Sequence, residues 1–245
     1  MYRSIFTDEL ALDLGAALPI LQSWGLKSVD LRGRVLGRAC DSLNRQELLE
    51  VKALVKNHGM TVGCLESSLA KVHLPDAARI QAEAEKLERI IVAAEVLECP
   101  LVRSFFFWQP KDELRGELAV RPDEQQKVQD AFGPLAARAK AAGLTLAFEN
   151  CGVTPEEVLV MLDIFGVPHW GLAWDAANSW NNELQQSEGD AYLKRLALRS
   201  RLVHVKAHGA VAEAGGAMIP WAKVLQFCDN AGLRGPVSIE THNPN

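Results

Sequence analysis

Glu149, Asp175, His204 and Glu240 stand at or near the carboxyl ends of four successive short apolar runs, LTLAFE (144–149), GLAWD (171–175), LVHVK (202–206) and PVSIET (236–241). Three carboxylates and one imidazole form a ligand set for one divalent cation. Its oxygen-rich character suits Mn²⁺ or Mg²⁺, with Co²⁺ or Zn²⁺ as alternatives. Such an ion could bind two adjacent oxygens of a hydroxy-ketone, polarise the carbonyl and stabilise the enediolate formed when a carbon-bound proton leaves. Glu149 and Glu240, one on each side of that carbon, could take and return the proton as base and acid.

Those roles require four residues that are far apart in sequence to converge. The intervals between them are 26, 29 and 36 residues, each close to one strand-helix unit. All four therefore belong at one end of one sheet, and in a closed parallel barrel the carboxyl ends of the strands build the site. Glu149 and Glu240 come from strands three apart in an eight-strand circle, so they can face each other across the opening.

The whole chain supports that architecture. Strand patterns at 2–6, 28–31, 61–65 and 101–105 precede the four above. Helical patterns lie at 10–24, 45–58, 77–97, 122–142, 155–165, 190–199 and 220–231. Gly25, Gly59, Gly143, Gly166 and Gly232 each follow a helical stretch, as left-handed C-terminal caps would. Pro122, Pro155 and Pro220 stand where helices begin. The expectation is a single-domain (β/α)8 TIM barrel over residues 1–245, lacking its last helix, because only His242, Asn243, Pro244 and Asn245 follow the final strand pattern. A longer native chain, or else a partner subunit, would cover the face left open.

Further residues should reach the cavity. Lys206 is two positions beyond His204 and shares its face; His242 bears the same relation to Glu240. Lys206 could bind a substrate oxygen or phosphate, and His208 and His242 could orient ligands or touch substrate. Arg32, Glu66 and Arg103 lie in or just after strands two, three and four and could contact a polyol. Of the aromatic residues Phe105, Phe106, Phe107, Trp108, Trp174 and Trp180, most should pack the core, with one or two, Trp108 among them, walling the pocket against water. His58 and His169 precede strands and belong at the opposite rim.

Bulk properties narrow the function. At 245 residues the chain suits one barrel, and 48% apolar with 23% charged residues reads as a soluble globular protein. A formal charge of −5 disfavours nucleic acid. Five scattered cysteines, odd in number and without a Cys-x-x-Cys pair, read as reduced thiols. With no secretory leader pattern and no run of about 18 apolar residues, a cytoplasmic, membrane-free protein is expected.

The segments Val29-Asp30-Leu31-Arg32, Val102-Arg103-Ser104-Phe105, Phe148-Glu149-Asn150, Leu172-Ala173-Trp174-Asp175-Ala176-Ala177-Asn178, Val203-His204-Val205-Lys206 and Ser238-Ile239-Glu240 resemble the xylose-isomerase-like barrel superfamily over nearly the whole length. That group contains sugar isomerases and epimerases, inosose and dehydroshikimate dehydratases, and the endonuclease IV group. The resemblance implies an eight-stranded barrel, a divalent metal on Glu149, Asp175, His204 and Glu240, a carbohydrate substrate, and a homodimer or homotetramer. Two positions depart from the pattern: Asn178 stands where ketohexose epimerases usually carry histidine, and Ala207-His208 stand where an aspartate often follows the His-x-Lys triplet. A three-zinc nuclease site needs many histidines, and the chain has six. The leading expectation is a metal-dependent isomerase or epimerase of a small sugar, sugar acid or polyol. The alternatives are a dehydratase of a keto-polyol such as an inosose, and a non-catalytic sugar-binding barrel.

Overall fold

Short apolar strands alternate with capped helices from the first residues, and in the computed structural model this alternation produces a nearly closed parallel barrel. The structure describes residues 1–180, 182–206, 213–214 and 217–241. Eight parallel strands form one sheet: β1 (Tyr2–Ile5), β2 (Ser28–Leu31), β3 (Thr61–Glu66), β4 (Leu101–Ser104), β5 (Thr145–Glu149), β6 (Gly171–Asp175), β7 (Ser200–Val205) and β10 (Pro236–Ile239). Their spatial order is β1-β10-β7-β6-β5-β4-β3-β2, and a parallel bridge from Phe6 to Asp30 draws the two edge strands together. Between β7 and the last helix, β8 (Glu213–Ala214) and β9 (Ala217–Met218) pair as a small antiparallel hairpin.

The connecting helices are α1 (Leu14–Ser23), α2 (Arg45–Asn57), α3 (Ala77–Leu97), α4 (Pro122–Ala141), α5 (Pro155–Phe165), α6 (Glu183–Glu188), α7 (Asp190–Arg199) and α8 (Trp221–Asn230). Local chemistry sets their starts. Asn44 with Glu47, and Thr154 with Glu157, form capping boxes at α2 and α5, and Pro122 and Pro155 take the first turn of α4 and α5. Pro220 caps α8 from just outside instead. Gly166 ends α5 at φ 61°, and the other four predicted glycine caps also have positive φ, where a side chain would be strained.

Two departures from the pattern reading have physical causes. The first helix begins at Leu14, not near residue 10, because Thr7–Leu10 form a 3-10 turn that ends at a left-handed Ala11. Its Asp8 and Glu9 are engaged with Arg32. The short helix α6 shows no buried face, so apolar periodicity could not reveal it. Among the described residues no helix follows β10, and Ile239 on its outer face is 38% exposed.

Two packed layers hold the strands. Outside, Phe106, Phe132, Phe148, Phe165 and Trp170 make a chain of tilted and edge-to-face contacts between the sheet and α4 and α5. Inside the barrel, one sector is filled by small apolar groups, Cys64, Ala147, Ala173 and Leu202. The adjoining sector is polar: Ser4 Oγ donates to Asp30 Oδ1 at 2.8 Å, and Ser238 Oγ donates to Asp30 Oδ2. Gly63 faces this sector because a Cβ there would lie 2.5 Å from Ser28 Oγ and 2.6 Å from Asp30 Oδ1.

Candidate metal centre

The inward positions of β5, β6, β7 and the end of β10 carry Glu149, Asp175, His204 and Glu240. Register makes them neighbours. Asp175 pairs with His204 across β6 and β7, and Ser238 pairs with His204 across β10 and β7, which puts Glu240 one inward step higher. One potential ligand atom from each residue lies within 4.8 Å of all the others, and each residue is at most 2% exposed.

Each carboxylate is gripped by its own cation. Arg103 Nη1 donates to Glu149 Oε2 at 3.1 Å, Lys206 Nζ lies 2.5 Å from Asp175 Oδ2, and Arg32 Nη1 donates to Glu240 Oε1 at 2.9 Å. The two glutamates thereby turn their second oxygens toward His204 Nδ1, with Glu149 Oε1 at 3.7 Å and Glu240 Oε2 at 3.5 Å. Lys206 Nζ also donates to Asn178 Oδ1 at 3.2 Å and lies 3.8 Å from Glu240 Oε2. Arg32, Arg103 and Lys206, read from sequence as cavity cations, are thus committed to the carboxylates of the cluster.

His204 is oriented from behind. Glu66 Oε1 lies 3.4 Å from His204 Nε2, while Glu66 Oε2 meets Arg103 Nε at 3.1 Å. A carboxylate on the far nitrogen of a histidine fixes its tautomer and leaves the near nitrogen for a metal. Phe6 packs edge-on to the imidazole with ring centroids 5.0 Å apart, and the Arg32 guanidinium covers the Phe6 ring at 4.7 Å. Glu66 therefore sits against His204 and Arg103, beneath the cluster.

Electrostatics describe a site that demands positive charge. Burial raises the Glu149 pKa, but Arg103 and then His204 outweigh it and hold the carboxyl well below its ordinary range. Asp175 is raised by burial, against the opposing pull of Lys206. At His204 burial disfavours the imidazolium, yet Glu66 and Glu149 overcome that and hold its pKa well above the usual value. Its Nδ1 is buried, makes no hydrogen bond and faces two carboxylate oxygens. The residues fit a divalent ion: binding would satisfy that orphaned nitrogen and release the proton that the acidic cluster otherwise retains.

The remaining sequence candidates divide. Asn178 adjoins the cluster, its amide N–H donating to Asp175 Oδ1 at 3.2 Å. Trp108 is fully buried and donates its indole N–H to Glu157 Oε1 at 2.8 Å, so it ties the loop after β4 to α5. His208 and His242 lie outside the described residues. His58 and His169 bond carbonyls at the opposite rim, Leu54 O and Leu144 O. Sequence reasoning left four participants unassigned: Asp8 and Glu9, which bind Arg32; Asp30, which organises the polar sector; and Asn150, which exchanges two 2.8 Å hydrogen bonds with the Asp175 backbone. Inward alternation on β2 marks Asp30, and adjacency to Glu149 marks Asn150. Asp8 and Glu9 read as an ordinary charged turn.

A family model described as xylose isomerase-like TIM barrel matches residues 18–245. No curated protein matches the sequence significantly. Solved structures share the fold at low identity. D-psicose 3-epimerase with D-tagatose from Clostridium cellulolyticum H10 superposes with a TM-score of 0.74 at 14% identity, over 98% of this chain and 85% of that one. An AP endonuclease, family 2, from Brucella melitensis gives 0.72 at 11% identity, over 100% and 95%. A xylose isomerase-like TIM barrel protein from Mycobacterium smegmatis in complex with magnesium gives 0.66 at 15% identity, over 94% and 82%.

Proposed function

The chain belongs to the xylose isomerase-like TIM barrel family, and from that premise we propose that it is a metal-dependent isomerase or epimerase of a small sugar, sugar acid or polyol. One observation carries the reading. Glu149 and Glu240, from strands three apart, each commit one oxygen to a guanidinium and turn the other toward the same buried imidazole nitrogen. Bound on Glu149, Asp175, His204 and Glu240, a divalent ion would hold a substrate carbonyl oxygen and the neighbouring hydroxyl oxygen and acidify the hydroxyl-bearing carbon. Arg103 keeps Glu149 ionised, so its free oxygen holds no proton of its own and would serve as the acceptor on one face of that carbon, its basicity recovered only when charge near it is redistributed on substrate binding. Glu240, on the other face, would deliver a second proton, taken up from solvent, while the proton removed stays on Glu149 until it exchanges. Lys206 stays charged, through Asp175 and Glu240, and would lie beside the oxygens of a substrate held on the ion.

The magnesium complex of a structural relative and the epimerase among the others support this reading. A cytoplasmic setting belongs to the same proposal, supported by five unpaired cysteines. No helix among the described residues is long and apolar enough to cross a membrane. A dimer or tetramer is part of it too, and light scattering would test that.

The test is turnover of a panel of keto-sugars and keto-polyols with added Mn²⁺, comparing the native chain with Glu149→Gln and Glu240→Gln. A product of unchanged mass, lost in both variants, is expected. A product lighter by one water would instead identify a dehydratase. Full activity in the double variant would refute the two-glutamate mechanism, and ligand binding without turnover would make the protein a non-catalytic sugar-binding barrel.

A further inference from the structure

We infer that Glu9 is a positioning residue that fixes Glu240 for metal binding. The inference rests on the metal-centre reading above. Glu9 belongs to the 3-10 turn Thr7–Leu10 that follows β1. In sequence it reads as a solvated charge, yet its side chain is 5% exposed.

Its two oxygens grip different elements. Oε1 meets Arg32 Nη2 at 2.8 Å. Oε2 accepts from the Thr241 amide at 2.9 Å and from Thr241 Oγ1 at 2.5 Å. Arg32 holds the Glu240 carboxylate, and Thr241 is the residue directly after Glu240. A single carboxylate therefore secures one ligand from two sides, through its side-chain partner and through its backbone.

Glu240 differs from the other three residues in following its strand rather than lying within it. Glu149 and Asp175 end adjacent strands that Asn150 ties together, with paired hydrogen bonds to the Asp175 backbone. The pairing of β10 with β1 ends at Ile5 and Ile239, the Glu240 amide reaches Val205 O at 3.0 Å, and no helix among the described residues packs beyond. Glu9 closes the far side of the ring, from β1 to the end of β10, as Asn150 does between β5 and β6.

The Arg32 fork shows how the hold is transmitted. Its Nε is fixed by Asp8 Oδ2 at 2.9 Å, its Nη2 by Glu9, and its face by the Phe6 ring, so Nη1 is aimed at Glu240 Oε1 before any ion arrives. With Oε1 pinned, Oε2 stays on the side of His204 Nδ1. Preorganisation of this kind lowers the ordering cost of ligation. Charge acts in the same direction: Glu9 shares the guanidinium with Glu240, so Arg32 withdraws less electron density from the ligand oxygen than it would alone.

The test is Mn²⁺ titration of the full chain, followed by electron paramagnetic resonance, for the native protein, Glu9→Gln, Glu9→Ala and Thr241→Val. Thr241 amide exchange is measured separately in chelator. Glu47→Gln is the control, since Glu47 also holds a backbone amide and an arginine but at the α2 cap. Loss of Glu9 should weaken Mn²⁺ about 10- to 100-fold and speed Thr241 exchange, with Thr241→Val weaker in effect and Glu47→Gln without effect on affinity. Unchanged affinity in Glu9→Gln, or an equal loss in Glu47→Gln, overturns the positioning role. A native chain that takes up none of Mn²⁺, Mg²⁺, Co²⁺ and Zn²⁺ brings down the metal-centre reading by itself; Thr241 exchange then decides the clamp, and equal rates in native and Glu9→Gln protein refute it.

Discussion

Replacing Asp30 by Asn should change how stability depends on pH, by an amount the barrel interior dictates. Asp30 is 0% exposed, accepts hydrogen bonds from Ser4 and Ser238, and faces the charge of Glu66. Burial, followed by Glu66, raises its pKa from 3.8 to about 7. Below pH 3.8 the acid is protonated folded and unfolded alike, and nothing is lost. Between 3.8 and 7 the folded state binds the extra proton, so stability falls as pH rises, and above 7 the loss is complete. At 1.36 kcal/mol per pKa unit the span from pH 4.5 to pH 8 is worth about 3 kcal/mol. Asparagine resembles the protonated acid, able to accept from one serine and donate to the other, and does not titrate. Urea unfolding of both proteins in chelator at pH 4.5 and pH 8 should therefore show Asp30→Asn gaining about 3 kcal/mol on the native chain across that interval. Carboxylates remote from Asp30 titrate alike in both proteins and cancel in the difference; Glu66 and His204, which interact with Asp30, respond to the substitution as part of the same effect. A constant difference between the two proteins at both pH values would refute the argument that Asp30 is buried with its proton.

Arg103 and Lys206 give contrasting expectations. Arg103→Met leaves Glu66 and Glu149 buried without their shared cation, so it should cost about 3–5 kcal/mol in urea unfolding; a loss under 1 kcal/mol would mean the pairing contributes little. Lys206→Met removes a charge that competes with a divalent ion for Asp175, so Mn²⁺ should bind at least about tenfold tighter, read by calorimetry, and weaker binding would assign Lys206 a supporting role instead.

Much of this was legible in the sequence because strands and helices announce themselves by period. That Glu149, Asp175, His204 and Glu240 converge was readable because strand alternation and unit spacing both constrain where a side chain ends up. The late start of α1 was not, since the turn at Thr7–Leu10 is stabilised by partners over 20 residues away or more: Arg32 for Asp8 and Glu9, and Thr241 for Glu9. For the same reason Glu66 read as a polyol contact, although its neighbours in space are His204 and Arg103. Local pattern specifies which face a residue occupies; which partner it meets on that face depends on the closure of the barrel.

The central claim is that one divalent ion belongs on Glu149, Asp175, His204 and Glu240, and elemental analysis of the purified chain tests it most directly. The native protein, incubated with Mn²⁺, Mg²⁺, Co²⁺ or Zn²⁺ and desalted, should retain close to one equivalent, and an Asp175→Ala, His204→Ala variant of unchanged circular dichroism should retain none. No bound ion in the native protein, or full retention in the variant, would contradict the account.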